Sequence, residues 1–542
     1  MSKEKNKKYP YYTDLPPVKD LKDLVTMRAE QSADKPAFSY NNDSDQKIVK
    51  TFGQVAKETN SLGTWLYAQG YKPEGGKQHH IAVLGDNSYP WLLSFLAITN
   101  GGNVAVPVDK DLSDHEVLRI LTKADVEAII IADNKKDLVK DFPQNKVYLM
   151  SELPTFIEAG MDLINKGNKD YFSCEMKPEA PSLIVFTSGT SGQSKGAVLT
   201  NSNIGNELTE TVKLFLLEGN TVAVLPFHHA FGLIVSVFMV FYYGYETFIN
   251  KNLRTVSKSL VDEKPQTMFL VPLFVEAFHK QIWKAAEKQK STAKLKAAMA
   301  TSDQLLKAGI DLRSKFFDSV LTPFGKRLTY IICGGAALDP FYVKEFRSWG
   351  IEILNGYGMT ECSPVVSVNR NHYHKDGTIG VAIPTAEFKT APDEELLVRG
   401  PFVMQGYYKD PELTEEAITE DGWYHTGDLG YVDEDGFIHL TGRKKNLIIL
   451  STGENISPEE LETDIARDPA VCECLVYEDG GKIVAEIFPE EAWMGNQEYF
   501  SKLVKKINHP RPAYKHVNEV RLRTEEFPKN STHKILRKNW GK

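Results

Sequence analysis

One loop of this chain reads Phe186-Thr187-Ser188-Gly189-Thr190-Ser191-Gly192-Gln193-Ser194-Lys195-Gly196. The segments 182–186 and 197–200 on either side of it are short and mostly apolar, which is typical of strands. Glycines let backbone N–H groups approach an anion closely, hydroxyl groups add further donors, and Lys195 adds a positive charge. The composition of the loop therefore predicts a site that binds phosphate groups.

Two other interpretations compete with this one. The P-loop of kinases and GTPases needs Gly-Lys followed by Ser or Thr at the start of a helix. Here Ser194 precedes Lys195, Gly196 follows it, and the next segment has the composition of a strand, which argues against a P-loop. A Gly/Ser hairpin that binds no ligand is the second alternative.

The length and composition of the chain indicate an ordinary globular protein with two or more domains. The chain has 542 residues, of which 42% are hydrophobic and 25% charged. A net charge of −8 argues against nucleic acid as a main partner. The five cysteines form an odd and scattered set, which indicates a reducing compartment, so we expect a cytoplasmic protein.

Two segments bear on contact with membranes. Residues 1–8 are largely charged and have no apolar core behind them, so they do not resemble a signal peptide. Residues 230–245 carry no charge, but a span needs about 20 residues. We expect a buried helix there and no transmembrane span, while peripheral contact with a membrane stays open.

Apolar segments in the first third of the chain alternate between strand and helix patterns. Strands are predicted at 81–85, 104–108 and 128–132, and helices at 88–100 and 115–123. This alternation predicts an α/β fold with a parallel, doubly wound sheet.

A pair of histidines follows the next predicted strand, residues 221–226. The carboxyl ends of parallel strands are where such sheets bind ligands. His228 and His229 are therefore interpreted as a wall of a substrate pocket that continues into the apolar helix behind them. The alternative is a pair of histidines in a turn.

Two later strands end in segments suited to a nucleotide. The first, 331–333, runs into a turn of small residues that includes Gly335 and Ala336, where a flat ring can lie against the backbone. The second ends in Asn355-Gly356-Tyr357-Gly358-Met359-Thr360-Glu361. Tyr357 can stack on adenine and Asn355 can bond to its edge, while Glu361 is an oxygen ligand suited to Mg²⁺.

A β-rich stretch begins at residue 395 and contains Asp428, whose carboxylate can accept bonds from both ribose hydroxyl groups. The basic segment 441–445 follows and is interpreted as a domain boundary. Beyond it the chain has its own βαβ-like pattern. We therefore predict two domains, 1–442 and 443–542.

Together these motifs resemble those of acyl-adenylate-forming enzymes: acyl-CoA synthetases, aryl-CoA ligases, beetle luciferases and peptide-synthetase adenylation domains. Five motifs occur in the family's order, over about residues 25–540. The resemblance implies a large N-terminal domain of doubly wound sheets with a β-rich subdomain, and a small, mobile α+β C-terminal domain. The chain departs from the family pattern at Ser194, where proline is usual, and at His533, where glycine is usual.

The resemblance implies two half-reactions that use ATP, Mg²⁺ and coenzyme A. A carboxylate attacks the α-phosphate of ATP to form acyl-AMP and pyrophosphate, and a thiol, expected to be coenzyme A, then displaces AMP. The alternative acceptor is the phosphopantetheine of a carrier protein. A regulator that binds ATP without catalysis is a further alternative, against which the presence of Glu361, Asp428 and Lys534 argues.

The resemblance also implies roles for the residues of the matching motifs. Glu361 and Thr187 would hold Mg²⁺, and His228 would contact the acyl group. Lys534 would bridge the carboxylate, the α-phosphate and the ribose in the transition state, and Lys445 falls at the position of the hinge. The other residues would bind the nucleotide: Thr187, Ser188, Gly189, Thr190, Ser191 and Lys195 at the phosphates, Gly335, Ala336, Asn355, Gly356, Tyr357, Gly358 and Thr360 around the adenine and the metal, and Asp428 and Arg443 at the ribose.

The acid is predicted from what the pocket region contains. Amino-acid-activating relatives place an Asp after the histidine motif, and residues 226–245 contain none. Residues 280–317 are rich in Lys and Ala, which is typical of a solvated helix pair, although their length and position resemble the long-chain branch of the family. We therefore predict a medium- or long-chain fatty acid, with an aromatic or bile acid as the alternative. The oligomeric state is left open.

Overall fold

The computed structural model describes residues 11–188, 194–449, 454–529, 535–537 and 540. Four predicted site residues lie outside these ranges: Gly189, Thr190, Ser191 and Lys534. The side chain of Ser188 lies outside the description as well.

The strands of the described residues belong to six sheets. In chain order they are β1 Pro36–Asn41, β2 Lys47–Thr51, β3 His80–Leu84, β4 Val104–Val108, β5 Ala128–Ile131, β6 Val147–Leu149, β7 Pro181–Ser188, β8 Ser194–Thr200, β9 Thr221–Ala223, β10 Thr247–Ile249, β11 Thr267–Leu270, β12 Tyr330–Cys333, β13 Glu352–Gly358, β14 Val365–Val368, β15 Val381–Ala382, β16 Glu387–Thr390, β17 Glu395–Arg399, β18 Gly406–Tyr407, β19 Tyr424–Val432, β20 Ile438–Arg443, β21 Ile448–Ile449, β22 Asn455–Ile456, β23 Val471–Asp479, β24 Lys482–Pro489 and β25 Glu519–Leu522.

The first α-helix of the described residues precedes β1, and the others lie between strands. In chain order they are α1 Leu21–Ser32, α2 Phe52–Leu66, α3 Tyr89–Thr99, α4 Asp114–Lys123, α5 Leu153–Asn165, α6 Asn201–Thr211, α7 Val240–Tyr243, α8 Val256–Glu263, α9 Pro272–Lys288, α10 Thr292–Lys307, α11 Arg313–Phe316, α12 Asp318–Leu321, α13 Pro340–Trp349, α14 Pro411–Ala417, α15 Pro458–Ala466 and α16 Gln497–Asn508.

Short polar side chains cap the starts of several of these helices. Thr51 accepts the backbone N–H of Gln54 at the start of α2, whose Gln54 side chain bonds back to Thr51. Ser113 and Glu116 form the same reciprocal pair at the start of α4. These bonds satisfy donors that a helix cannot satisfy within its own first turn.

A seven-stranded sheet in the order β18-β8-β7-β4-β3-β5-β6 carries the phosphate loop. Its β4, β3, β5 and β6 run parallel, as predicted, while β7 and β8 form an antiparallel hairpin. Alternate residues of β3 face two different cores: Ile81 and Val83 pack with α3, whereas Ala82 and Leu84 pack with α4. Helices therefore cover both faces of the sheet, which is the doubly wound arrangement.

A five-stranded sheet, β11-β12-β13-β14-β15, carries the predicted nucleotide motifs. Strands β11, β12 and β13 are parallel, and their register places Cys333 beside Asn355. The ends of β12 and β13 thus bring the small-residue turn and the Asn355–Glu361 segment to the same edge.

The sheet β16-β17-β19-β20 forms the β-rich part, and residues after it form a separate core. In that last part, α16 connects β24 to the parallel strand β25 and so completes a βαβ unit with a helix and a last strand that the sequence analysis did not identify. Its core side chains, among them Leu461 and Phe500, form a cluster apart from the two cores of the earlier residues.

Two elements differ in detail from the sequence prediction. Strand β9 ends at Ala223, although the apolar pattern extends to Pro226. The segment predicted as one buried helix at 230–245 is a π-helix over Phe231–Met239 that continues as α7. Its side chains are buried almost throughout, as its composition predicts. In the part of the chain that the structure describes, no helix is long and apolar enough to cross a membrane.

Candidate active site

The phosphate loop connects β7 and β8, and the register of this hairpin pairs Thr187 with Lys195. The two predicted phosphate-binding residues therefore lie opposite each other where the hairpin enters the loop. The Lys195 Nζ lies 5.0 Å from the centre of the Tyr407 ring, a distance at which a cation interacts with an aromatic face.

Ser194, where the family usually has proline, is held by two basic side chains of α4. Arg119 Nη2 donates to the Ser194 hydroxyl at 3.4 Å, and Lys123 Nζ donates to its carbonyl at 3.2 Å. Proline restricts the backbone through its ring. In this chain, side-chain hydrogen bonds from a neighbouring helix constrain the same position.

Asp428 contacts two other predicted site residues, Tyr357 and Arg443. It is buried, the Tyr357 hydroxyl donates to its Oδ2 at 2.6 Å, and Arg443 Nε lies 2.8 Å from its Oδ1. Strand pairing explains the last contact, because Asp428 on β19 is opposite Arg443 on β20. Burial, together with the Asp428 charge, raises the pKa of Tyr357, so its hydroxyl remains a donor at neutral pH.

Asn355 carries an unpaired polar atom. Its side-chain Oδ1 is buried and has no hydrogen-bond partner among the described residues. Leaving a buried acceptor unpaired is unfavourable, so such an atom is a candidate for a bond to a ligand. An amide oxygen can accept from the amino group of adenine, so Asn355 fits the nucleotide role that the resemblance implies.

Glycines shape the edge where the nucleotide is predicted to lie. Gly335 has a φ of +81°, which side chains other than hydrogen rarely allow, and it begins an exposed turn with Ala336. At Gly358 a Cβ would lie 1.7 Å from the Pro364 carbonyl oxygen, so this glycine is required by backbone packing alone. Gly356 meets no such obstacle.

His228 lies buried at the start of the predicted acyl region. Its Nε2 lies 3.4 Å from Oδ1 of Asp109, and its ring centre is 4.3 Å from that of His229. Burial lowers the pKa of His228 although Asp109 acts in the opposite direction, which favours a neutral imidazole. A Cβ at Gly334 would lie 3.4 Å from the Phe231 ring, so the apolar helix after the histidines adjoins the nucleotide turn.

Glu361 has a partner that the sequence interpretation did not include. The Tyr407 hydroxyl donates to its Oε1 at 2.9 Å. No group of three or more His, Cys, Asp and Glu side chains within the described ranges could hold a metal ion. Mg²⁺ is commonly bound by one or two carboxylates together with substrate phosphates, so a single carboxylate beside the phosphate hairpin fits this ion.

Lys445, the predicted hinge residue, is subject to the charges of several predicted site residues. Burial lowers its pKa, and the positive charges of Arg443 and Lys195 lower it further, while Asp428 and Glu361 act in the opposite direction. Four predicted site residues thus lie within electrostatic reach of this ammonium group. From the basic segment 441–445 alone, we predict a domain boundary. The sequence does not show which residues from other parts of the chain act on Lys445.

The chain matches the family of AMP-binding enzymes over residues 25–408 and belongs to it. Long-chain-fatty-acid–CoA ligase 5 of Rattus norvegicus is 25% identical over 519 residues, which cover 86% of this chain and 74% of that protein. The chloroplastic long-chain-fatty-acid–[acyl-carrier-protein] ligase AEE15 of Arabidopsis thaliana is 27% identical over 582 residues, covering 90% and 79%.

Among solved structures, anthranilate CoA ligase AuaEII in complex with anthranoyl-AMP superimposes with a TM-score of 0.76 at 21% identity, and covers 97% of both chains. The predicted fold class is therefore confirmed. The resemblance to adenylate-forming enzymes is also confirmed, as is the enzyme class, an AMP-forming acyl-CoA synthetase.

We expect Asp428→Asn to weaken ATP binding about tenfold or more, because a hydrogen bond to a charged group contributes about 1.5–3 kcal/mol. Asparagine has one acceptor oxygen where aspartate has two, so it cannot accept from both Arg443 and the ribose. Titration calorimetry with ATP measures the change. Asp433→Asn is the matched control, since Asp433 pairs with Lys375 just beyond the carboxyl end of β19. Unchanged ATP affinity in Asp428→Asn would contradict the ribose role.

Proposed function

We propose that this protein activates a medium- or long-chain fatty acid with ATP and Mg²⁺ and transfers the acyl group to coenzyme A. Acyl-AMP and pyrophosphate form first, and the thiol then displaces AMP. The observation that best supports this proposal is the cluster around Asp428, where Tyr357 and Arg443 meet beside the edge that carries Asn355 and Glu361. This cluster would supply nucleotide-binding groups, and the apolar, buried helix Phe231–Met239 would supply the acyl pocket.

The residues divide the first half-reaction among them. The proposed phosphate ligands are Thr187, Ser188, Thr190 and Lys195, and Glu361 and Thr187 would hold Mg²⁺. When bound, this ion neutralises charge on the phosphate oxygens. Reactions of this kind depend on positioning and on stabilising developing charge.

The other proposed roles concern orientation and the transition state. Asn355 accepts a bond from the adenine edge and Tyr357 stacks on the ring, while Asp428 and Arg443 bind the ribose. The contacts of Tyr357 and Arg443 with the Asp428 carboxylate orient that carboxylate. Lys534 is proposed to stabilise the negative charge that develops as the carboxylate attacks the α-phosphate.

The fatty acid is supported by the region after His228. Residues 226–245 contain no Asp, Glu, Lys or Arg, and the π-helix Phe231–Met239 is almost entirely buried. A carboxylic acid with an α-amino group would need a charged partner, and none is present in this stretch. The head group of the acid would lie near His228 and its chain along the apolar helix.

We expect kcat/KM to rise about fourfold for each added CH₂ until the pocket is full, because a buried CH₂ contributes about 0.8 kcal/mol. Release of pyrophosphate measured with ATP and a series of acids from C4 to C18 tests this expectation. Benzoate and cinnamate serve as aromatic comparisons. A preference for either of them over every acid from C8 to C16 would contradict the fatty-acid proposal.

A second acceptor is supported by one relative, the plant ligase named for acyl carrier protein. Supplying purified acyl-AMP with either coenzyme A or a phosphopantetheine-loaded carrier protein separates the two. Faster transfer to the carrier protein would replace coenzyme A in the proposal and leave the adenylation step unchanged.

All five cysteines are free thiols, which supports the further proposal that the protein acts in the cytoplasm.

A further inference from the structure

Tyr407 lies beside the phosphate hairpin although it is more than 200 residues away in the chain. Strand β18 pairs with β8, so that Tyr407 is opposite Ala197, two residues after Lys195. Its side chain is buried. The pairing places the tyrosine between the proposed phosphate-binding lysine and the proposed metal ligand.

The two ends of the tyrosine side chain contact these two residues. Its hydroxyl donates to Glu361 Oε1 at 2.9 Å, and its ring lies 5.0 Å from Lys195 Nζ. The same segment also contacts Glu361 through the backbone, because the Met404 N–H donates to the Glu361 carbonyl at 2.8 Å. Both the main chain and the carboxylate of Glu361 are therefore held by residues 404–407.

We propose that Tyr407 is a positioning residue that sets the Glu361 carboxylate relative to the Lys195 ammonium group. Carboxylates that bind metals are themselves usually hydrogen-bonded, and such partners fix their orientation. A bond to Oε1 leaves Oε2 available for Mg²⁺, while the ring face stabilises Lys195 near the phosphates. This inference rests on the proposed function, because it assumes the metal role of Glu361.

The alternative is that Tyr407 only packs β18 against β8. Tyr407→Phe separates the two, because it keeps the ring, the packing and the contact with Lys195 and removes only the hydroxyl. Tyr408→Phe is the matched control. The Tyr408 hydroxyl donates to Asp125 at 2.8 Å, on α4's side of the sheet, and it belongs to none of the proposed site groups.

The direct measurement is binding of Mn²⁺ together with a non-hydrolysable ATP analogue, followed by the electron paramagnetic resonance signal of free Mn²⁺. We expect Tyr407→Phe to weaken Mn²⁺ binding about tenfold, in line with the loss of a hydrogen bond to a charged group. Tyr408→Phe is expected to bind as the wild type does. Thermal unfolding of both variants should match the wild type within a few degrees.

The two half-reactions provide a second readout. Adenylation by Tyr407→Phe should need about tenfold more Mg²⁺ for half-maximal rate, whereas thioester formation from supplied acyl-AMP should be unchanged. A purely structural role would lower both rates together. Tyr407→Leu, which also removes the ring, should in addition weaken binding of the analogue without metal, since Lys195 loses its partner.

Glu361→Gln distinguishes failure of this inference from failure of the proposed function. If Glu361→Gln loses Mn²⁺ binding and Tyr407→Phe retains it, the metal role of Glu361 stands and the role of Tyr407 is wrong. If both variants bind Mn²⁺ like the wild type, the metal is held elsewhere, and the inference falls with that assignment.

Discussion

Glu361→Gln is expected to lower the rate of adenylation about 100-fold or more and to weaken its dependence on Mg²⁺. Removing one electrostatic group that stabilises the transition state typically has an effect of this size. Glutamine preserves the size of the side chain and can still accept the bond from the Tyr407 hydroxyl. The expected loss therefore reports the negative charge and not the local packing.

Pyrophosphate exchange across a series of Mg²⁺ concentrations measures this effect. Glu352→Gln is the matched control: Glu352 begins β13, the strand that precedes Glu361, and its carboxylate pairs with Arg347 at 2.8 Å, at the opposite end of that strand. We expect the control to keep its rate and its Mg²⁺ response. A normal adenylation rate in Glu361→Gln would place the metal at other residues.

Lys445→Pro is expected to lower one half-reaction by orders of magnitude and to leave the other near its normal rate. The contacts on either side of Lys445 support a hinge there. Lys444 Nζ pairs with Asp393 at 2.6 Å and with Glu395 of β17 at 2.9 Å, whereas the Asn446 side chain donates to Glu459 of α15 at 2.6 Å. Lys444 is thus anchored to the β-rich sheet, and Asn446 is anchored to α15 in the last part of the chain.

A hinge is a short segment that absorbs a large change of φ and ψ. Proline fixes φ near −65° and removes a backbone N–H, so it should hold one orientation of the two parts. The proposed domains, 1–442 and 443–542, would then no longer alternate between the half-reactions. Strand β20 extends to Arg443, so the proposed hinge residue Lys445 lies just beyond the end of that strand.

Pyrophosphate exchange and thioester formation from supplied acyl-AMP, measured side by side, test this expectation. Lys445→Ala is the essential control, because the Lys445 charge interacts with the charges of Lys195 and Asp428 and is lost in both variants. Any effect shared by the two variants reports the charge. If both half-reactions fall equally in Lys445→Pro, or neither falls, the hinge is not at this residue.

Much of the fold follows from local sequence signals. Strands β4 and β5 are continuous apolar segments, which suits strands that are buried on both faces. Thr51 caps the start of α2, and Ser113 caps the start of α4. Local signals fail where tertiary packing decides. The apolar pattern at 221–226 continues past Ala223, but the chain leaves the sheet there because β10, its neighbour, ends at Ile249 opposite Ala223.

The same division holds for the site. Residue chemistry and motif order by themselves determine the family and the choice of Asn355, Glu361 and Asp428, because a nucleotide and a metal need those particular donors and acceptors. Only the tertiary structure decides that Tyr407 contacts Glu361 and that the charges of Asp428 and Glu361 act on the pKa of Lys445. The physical reason is that a contact between residues distant in the chain depends on strand pairing and on packing between domains, and neither leaves a mark in the residues next to Tyr407 or Lys445.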